Sequence, residues 1–210
     1  MRAVGPPRLR TPLEGPFADL VRAITFQQLA GRAAAAIHAR LVACLPGGVT
    51  APAVLELPLA TLRASGLSAA KAASIRDLAA RVASGALELE SLVSLPDDEV
   101  VSTLSQVRGM GRWTAEMFLI FSLRRPDVWP VGDHGVRRGY AAIHGLASPP
   151  RPTELAELGE RYRPYRTVAA WYCWRAVETV LPASGEGGPT ADGRPPAGTG
   201  RRSRPAQTRY

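Results

Sequence analysis

One segment of the chain holds the residues whose types and spacing best suit chemistry on a nucleic acid. Gly109 and Gly111 lie either side of a single residue and are followed by Arg112. Glycines permit a tight turn and the close approach of another backbone. The amides at the start of the next helix would then attract an anion such as a DNA phosphate, whatever the base sequence. Taken alone, the two glycines are also compatible with an ordinary glycine-terminated helix followed by another helix.

A carboxylate, Asp133, follows at the start of another predicted helix, within the segment Pro130-Val-Gly-Asp-His-Gly-Val-Arg137. An isolated aspartate in this position commonly caps the helix, and the helix dipole favours its negative charge. An anion beside a sugar can also stabilise the positive charge that develops when an N-glycosidic bond breaks. The two roles are compatible, so the sequence predicts both for Asp133.

Helices are expected to position these residues, since apolar residues recur at three- and four-residue steps and no segment shows a convincing strand pattern. The segment 112–123 is apolar on most sides, which predicts a helix deep in the core. The sequence therefore predicts an all-α fold. The predicted helices cover 17–45 with a break near Gly31, 59–64, 68–84, 89–95, 97–106, 112–123, 134–144, 153–162 and 164–181.

Length and composition indicate one domain, or one domain in two lobes. The chain has 210 residues, of which 46% are hydrophobic, enough to form a substantial core. Its net charge of +8 favours a polyanionic partner, although a bias toward arginine would give the same figure. We expect an N-terminal extension at 1–16, a core at 17–182, and a disordered tail at 183–210 that adds weak DNA attraction or none.

The sequence excludes or disfavours metal and iron–sulfur sites, secretion and a membrane location. Two cysteines, Cys44 and Cys173, are too few for a four-cysteine iron–sulfur or zinc site. The three histidines show no ligand spacing with cysteine or carboxylate, so no metal is assigned. The N-terminus lacks the apolar region of a signal peptide, and no apolar run approaches the roughly 18 residues of a membrane span. The default expectation is a cytoplasmic protein, nucleoid-associated in a bacterium, without a membrane partner.

Four segments together resemble the helix–hairpin–helix DNA glycosylase superfamily, and especially its 3-methyladenine DNA glycosylase II branch. The hairpin segment matches Leu-x-x-Val-x-Gly-x-Gly-Arg-Trp-Thr-Ala. The other three are Arg22–Ala34, Gly66–Ala72 and Tyr162–Trp174. The resemblance covers about 17–181 and implies a two-lobed helix–hairpin–helix glycosylase fold, with the hairpin at about 104–123.

The resemblance also implies roles for individual residues. Asp133 matches the catalytic aspartate, and Gln28 and Leu29 match the wedge that fills the gap left by an extruded base. Many relatives carry a second aspartate where this chain has Gly132, and Met117 replaces an aromatic residue of one relative. The expected base pocket consists of Trp113, Trp174, Phe26 and Met117. The expected DNA contacts come from Gly109, Gly111, Arg112, Thr114, Gln28, Leu29, Lys71 and Arg137. Buried aromatic residues are otherwise most often core, and Arg137 is otherwise a solvated surface residue.

The predicted activity is excision of alkylated purines such as 3-methyladenine from double-stranded DNA, which leaves an abasic site. Some relatives use a lysine in the second hairpin helix to cut the strand through a Schiff base. Trp113 occupies that position here, and Lys71 is the single lysine of the chain, so no lyase step is expected. We expect a monomer without cofactors, except for a monovalent cation that hairpin carbonyls could hold. The alternatives are a non-catalytic DNA-binding module and a glycosylase for uracil or an oxidised purine.

Overall fold

Helices account for the regular secondary structure of this computed structural model, which describes residues 5–9, 15–29 and 31–177. Since these ranges contain no strand, the prediction of an all-α fold is confirmed. The predicted disordered tail at 183–210 lies outside the described residues.

The described ranges contain ten α-helices, of which α1 and α7 are both almost entirely buried. Every α7 residue from Thr114 to Phe121 is buried, as its apolar sequence predicts. No described helix combines the length and apolar character that a membrane span requires. In chain order the helices are α1 Pro16–Phe26, α2 Gly31–Ala43, α3 Ala51–Glu56, α4 Leu59–Ala64, α5 Ala69–Ala83, α6 Asp97–Leu104, α7 Arg112–Phe121, α8 His134–His144, α9 Pro152–Gly159 and α10 Arg166–Ala176, with short 3₁₀ helices at Ser91–Ser94 and Glu160–Tyr162.

Several elements differ from the sequence-based prediction, among them α6, which ends at Leu104 instead of residue 106. Helix α3 was not predicted, although the Thr50 hydroxyl caps it by accepting a hydrogen bond from the Ala53 amide and Pro52 lies in its first turn. The last helix begins at Arg166 instead of Pro164. Helix ends depend on individual capping contacts more than on apolar periodicity, and the six residues of α3 are too few to show that periodicity.

The helices pack as two lobes. In the first lobe, α1 contacts α2, α5 and α7, while α5 packs against α3 and α4, and α6 packs against α7. In the second, α8 packs along α10, and α9 continues into the 3₁₀ turn that also contacts α10. Gly139 of α8 lies so close to the Cys173 backbone that a Cβ atom would overlap it. The missing side chain therefore permits the α8–α10 contact on which the second lobe depends.

Candidate active site

Asp133 lies where the two lobes meet, at the start of α8. Its Oδ1 atom accepts a hydrogen bond of 2.7 Å from the Val136 amide, so the carboxylate caps the helix. The residue is buried, with 8% of its surface exposed. The predicted capping role is confirmed, and the cap orients the carboxylate relative to the first turn of α8.

Two tryptophans hold the rest of the carboxylate. The Trp174 indole N–H of α10 donates to Oδ1 at 2.8 Å, and the Trp113 indole N–H of α7 donates to Oδ2 at 2.6 Å. Hydrogen bonds to an ionised carboxylate are shorter and stronger than neutral ones. Together with the Val136 amide, the indoles fix Asp133 from three helices. We call these three donors and Asp133 the carboxylate clamp.

Packing holds the buried half of the clamp in place. The Trp174 ring stacks on Phe121 of α7, with ring centroids 5.7 Å apart and planes inclined by 25°. Cys173, the preceding residue, is also buried, and burial together with the charge of Asp133 raises the pKa of its thiol to about 12. The thiol is therefore neutral at physiological pH and does not act as a thiolate nucleophile.

The turn between α6 and α7 is the predicted hairpin, and its two glycines differ in conformation. Gly109 has φ of +71°, and a Cβ atom there would overlap the Ser74 hydroxyl of α5. Gly111 is extended, with φ of −108°, and a Cβ atom there would meet open space. The fold therefore requires glycine at 109 but not at 111.

The hairpin is anchored to the first lobe from α5. The Asp77 carboxylate accepts a 2.9 Å hydrogen bond from the Arg108 amide and also pairs with Arg81. The hydrogen bond from the Arg108 amide, assisted by Arg81, holds the pKa of Asp77 below its ordinary value. At the other side of the turn, Thr114 and Ala115 donate to the Gly111 carbonyl. The amides that precede Thr114 in the first turn of α7 have no carbonyl one turn back to bind.

The end of α1 reaches this hairpin through a residue that the sequence analysis did not single out. The Gln27 side-chain amide donates to the Gly109 carbonyl at 3.0 Å and to the Thr114 hydroxyl at 2.8 Å. Gln28 and Leu29, the predicted wedge, come directly after it and are exposed. The wedge and the hairpin are thus neighbours in the structure.

Lys71 belongs to the same neighbourhood, but its ammonium group is already engaged. It donates to the Thr25 carbonyl at 2.8 Å and to the Gln27 carbonyl at 2.6 Å, at the end of α1. Partial burial lowers the pKa of Lys71 from its ordinary value. A DNA contact by Lys71 would have to use its third N–H donor or break one of these bonds.

The four predicted pocket residues differ in burial and in what surrounds them. Trp113 is half-buried, whereas Trp174, Phe26 and Met117 each have less than a tenth of their surface exposed. Phe26 lies beneath the Arg22 guanidinium, 4.1 Å from its ring centroid. Met117 instead borders a small crevice with Arg22 and Phe121. Trp113 and Trp174 meet at Asp133, while Phe26 and Met117 lie toward α1.

A larger cavity of about 460 Å³ lies beside the clamp, between α6 and α7 on one side and the second lobe on the other. Arg112 and Glu116, one turn apart on α7, line it and form an ion pair of 2.9 Å. Glu116 is 4% exposed. Burial raises its pKa to about 6, and Asp133 adds to this effect while Arg112 opposes it. The described residues that line this cavity include neither Asp133 nor the two clamp tryptophans.

Comparison with known proteins assigns the family. A family profile described as "HhH-GPD superfamily base excision DNA repair protein" matches residues 21–164, which include the hairpin and Asp133. The chain belongs to the HhH-GPD superfamily. The predicted superfamily membership and the two-lobed helix–hairpin–helix fold are therefore confirmed.

Several relatives of this chain are named as 3-methyladenine DNA glycosylases or glycosidases. DNA-3-methyladenine glycosylase 1 of Schizosaccharomyces pombe is 37% identical over 163 residues, which cover 76% of this chain and 72% of that protein. A structure of S. pombe 3-methyladenine DNA glycosylase (Mag1) in complex with abasic DNA has a TM-score of 0.79 at 34% identity, covering 87% of this chain and 91% of that one. A DNA-3-methyladenine glycosidase structure from Bacillus halodurans has a TM-score of 0.72 at 36% identity, covering 85% and 82%.

The remaining predicted residues can be placed on this HhH-GPD fold. Arg137 donates to the Pro150 carbonyl at 2.7 Å, so its guanidinium ties α8 to the loop before α9. Gly132 is exposed, and a Cβ atom there would meet nothing within 4 Å. The backbone at Gly132 therefore leaves room for the Cβ of the aspartate that the family resemblance leads us to expect there. Among the described residues, no group of three or more histidine, cysteine or acidic side chains is arranged to hold a metal ion.

Three residues of this HhH-GPD site were missed by reasoning from sequence alone. Glu116 could have been noticed as the lone acid in a helix that is otherwise almost entirely apolar. Gln27 adjoins the predicted wedge, but nothing in the sequence indicates that its side chain turns toward the hairpin. The sequence pattern around Asp77 is that of an ordinary surface position on a helix. The contact of Asp77 with Arg108 depends on how α5 packs beside the turn.

Proposed function

We propose that this protein is a monofunctional DNA-3-methyladenine glycosylase. It extrudes an alkylated purine from double-stranded DNA and hydrolyses the N-glycosidic bond, leaving an abasic site. The single observation that carries this proposal is the carboxylate clamp, which holds one negative charge beside a glycine hairpin at the junction of two helical lobes. The named relatives at 34–37% identity support the same assignment.

The proposed chemistry requires one well-placed anion. The bond between the sugar C1′ and the base nitrogen breaks, its electron pair leaves with the base, and positive charge develops on the sugar. Asp133 stabilises that charge and takes a proton from the water that adds to C1′. An N3-methylated adenine carries a positive charge before cleavage and leaves as a neutral base, so little additional acid catalysis is needed.

The clamp leaves room for this role at Asp133. An ionised carboxylate has about four lone-pair sites. The Val136 amide and the two indoles occupy three sites. The remaining site is available to a water molecule or to the sugar, while the three donors keep the group from turning. A preorganised charge of this kind needs little rearrangement when the transition state forms.

DNA is held by the hairpin in this proposal. The first α7 amides and the positive end of that helix attract a phosphate, and the open space at Gly111 lets the strand approach. Arg112, whose side chain is 66% exposed, adds a cation beside the turn. Binding of this kind is independent of sequence and weakens with salt.

We expect this protein to release the base without cleaving the DNA strand. A lyase of this type needs an amine beside the sugar to form a Schiff base. Trp113 stands in the hairpin helix where such a lysine would lie, and the single lysine of the chain, Lys71, binds two backbone carbonyls at the end of α1. Hydrolysis by water therefore leaves the DNA strand intact. A monomer that acts in the cytoplasm remains a prediction from the sequence.

The deciding experiment measures base release by the wild-type protein and by Asp133→Asn from duplexes that each contain one lesion. We expect wild type to release 3-methyladenine or another alkylated purine, and the variant to be slower by at least about a hundredfold. Binding to a duplex with a stable abasic analogue should be retained. Binding without release by wild type would indicate the non-catalytic module, whereas preferential release of uracil or an oxidised purine would assign another lesion. Equal rates for the variant would overturn the role of Asp133.

A further inference from the structure

The predicted wedge, Gln28 and Leu29, is joined to the hairpin by contacts of the preceding side chain, Gln27. No motif in the sequence predicts these contacts. The Gln27 amide group spans from the end of α1 to the hairpin and binds both sides of its turn, the Gly109 carbonyl and the Thr114 hydroxyl. These two acceptors flank the point at which a phosphate is expected. Any shift of Gln27 relative to the turn would break at least one of these bonds.

The backbone of Gln27 is fixed separately. Its carbonyl accepts a 2.6 Å hydrogen bond from the Lys71 ammonium, which also binds the Thr25 carbonyl at 2.8 Å. The last carbonyls of a helix otherwise lack partners, and a cation there is favourable. Lys71 thus braces the end of α1 against α5, while the Gln27 side chain braces it against the hairpin.

The two residues that follow are held in a conformation suited to protrusion. Gln28 has φ of +52°, a left-handed conformation that is uncommon for residues other than glycine. Leu29 is 40% exposed, although a leucine usually buries most of its surface. An exposed apolar side chain on a strained turn is maintained only if the flanking contacts determine it. Those contacts include the hydrogen bonds of the Gln27 side chain and of Lys71, and the one that the Leu29 amide donates to the Phe26 carbonyl at 3.4 Å.

We propose that Gln27 is a positioning residue for base extrusion, because it joins the wedge to the phosphate-binding hairpin as one rigid unit. Capture of the phosphate by the hairpin then places Leu29 against the base stack in the correct register. This inference rests on the proposed function for its DNA substrate. It adds a residue whose effect is transmitted through Leu29 and the hairpin, without contact with the reacting atoms.

The test is a double-mutant cycle in the full chain with Gln27→Ala, Leu29→Ala and the combined variant. The probe is a duplex that contains a tetrahydrofuran abasic analogue next to 2-aminopurine, whose fluorescence rises when the adjacent stack is opened. At saturating protein, we expect each single variant to reduce the opening equilibrium about tenfold. The double variant should show about the same loss as either single variant, since residues that act as a unit are non-additive.

Two further variants separate coupling from a general loss of structure. Thr114→Val removes one of the two Gln27 acceptors and should give a smaller loss than Gln27→Ala. Gln106→Ala changes an exposed glutamine just before the turn that makes no side-chain hydrogen bond among those described, and it should match wild type. Single-stranded DNA needs no base extrusion from a duplex, so its affinity should fall less in every variant than the opening equilibrium of the duplex.

Three results would count against the coupling between Gln27 and the wedge. Losses that multiply in the double variant, or equal losses for duplex and single-stranded DNA, would overturn the coupling, as would a wild-type protein that leaves 2-aminopurine fluorescence unchanged. Because this probe requires no base release, it remains informative if wild type fails to excise alkylated bases. In that case the proposed catalytic function fails, while the cycle still decides whether Gln27 positions the wedge.

Discussion

At the scale of single residues, the site depends on how one carboxylate is oriented. Asp133 is almost fully buried, and a buried carboxylate requires hydrogen-bond donors to offset the loss of water. Its donors come from an amide of its own helix and from the indoles of Trp113 and Trp174. The two tryptophans therefore contribute N–H groups toward the anion, in addition to any ring surface offered to an extruded base.

Replacing Trp113 with phenylalanine separates these two contributions. The variant retains an aromatic face but loses the N–H that binds Oδ2 of Asp133. Since a hydrogen bond to a charged group is stronger than a neutral one, we expect single-turnover base release to slow roughly tenfold to a hundredfold, with little change in DNA affinity. Trp171→Phe is the matched control, because the Trp171 N–H donates to the Arg8 carbonyl, away from Asp133. If both variants released bases at the wild-type rate, the clamp would have no catalytic importance.

At the scale of elements, the hairpin joins the core to the expected DNA surface. Its inner side is determined by Asp77, Ser74 and Gln27, which contact the turn from α5 and α1. On its outer side, at Gly111, an added Cβ atom would meet no atom within 4 Å. The fold thus requires a glycine at 109, while at 111 the proposed function expects the DNA strand to approach.

Alanine substitutions should separate these two uses of glycine. Gly109→Ala forces a Cβ into a left-handed conformation and against Ser74, so it should lower the free energy of unfolding by at least about 1 kcal/mol. Gly111→Ala should change that free energy by less than about 0.5 kcal/mol. Denaturant unfolding would measure both values. Titration of an abasic-site duplex should nevertheless show weaker binding by Gly111→Ala, and unchanged binding would argue against approach of the DNA strand at this position.

At the scale of the whole molecule, ion-paired carboxylates and the buried carboxylate of Glu116 change the free energy of unfolding in opposite directions as the pH falls. The pKa values of Asp77 and Asp127 are lowered by hydrogen bonds and by arginines. Their stabilising effect is therefore lost as pH falls. Glu116 behaves in the opposite way, because burial raises its pKa to about 6. Above that pH the folded protein retains a poorly solvated charge, which lowers the free energy of unfolding. As the pH falls from about 6 toward the ordinary pKa near 4.5, protonation of Glu116 removes this destabilising effect.

Glu116→Gln isolates this contribution by removing the charge at every pH. The free energy of unfolding of the variant, minus that of wild type, should be more favourable at pH 8 than at pH 5 by about 1–2 kcal/mol. Urea unfolding at the two pH values measures it, and the contributions of Asp77 and Asp127 cancel in the subtraction. Glu157→Gln, at an exposed position on α9, is the control and should show no such difference. A pH-independent difference for Glu116→Gln would mean that its carboxylate carries no cost in the folded state.

Local patterns in the sequence were sufficient to predict most of the helices, the glycine turn and the helix cap at Asp133. Apolar spacing, glycine and capping residues act over a few positions, so they can be recognised without a tertiary structure. Helix α3 was missed despite its Thr50 cap, because a six-residue helix has too few turns to show periodicity. The family resemblance added the expectation that Asp133 is catalytic and that Trp113 lines the base pocket.

Only the tertiary structure decided what those residues contact. The Trp174 indole reaches Asp133 across 41 positions, and Gln27 reaches Gly109 across 82. Such bonds depend on how α1, α7, α8 and α10 pack, and no short-range pattern encodes that arrangement. The same packing buries Phe26 and Met117, and it uses Lys71 to brace α1. A side chain's chemistry can be read from its type, but the direction in which it points is set by the burial of all the others.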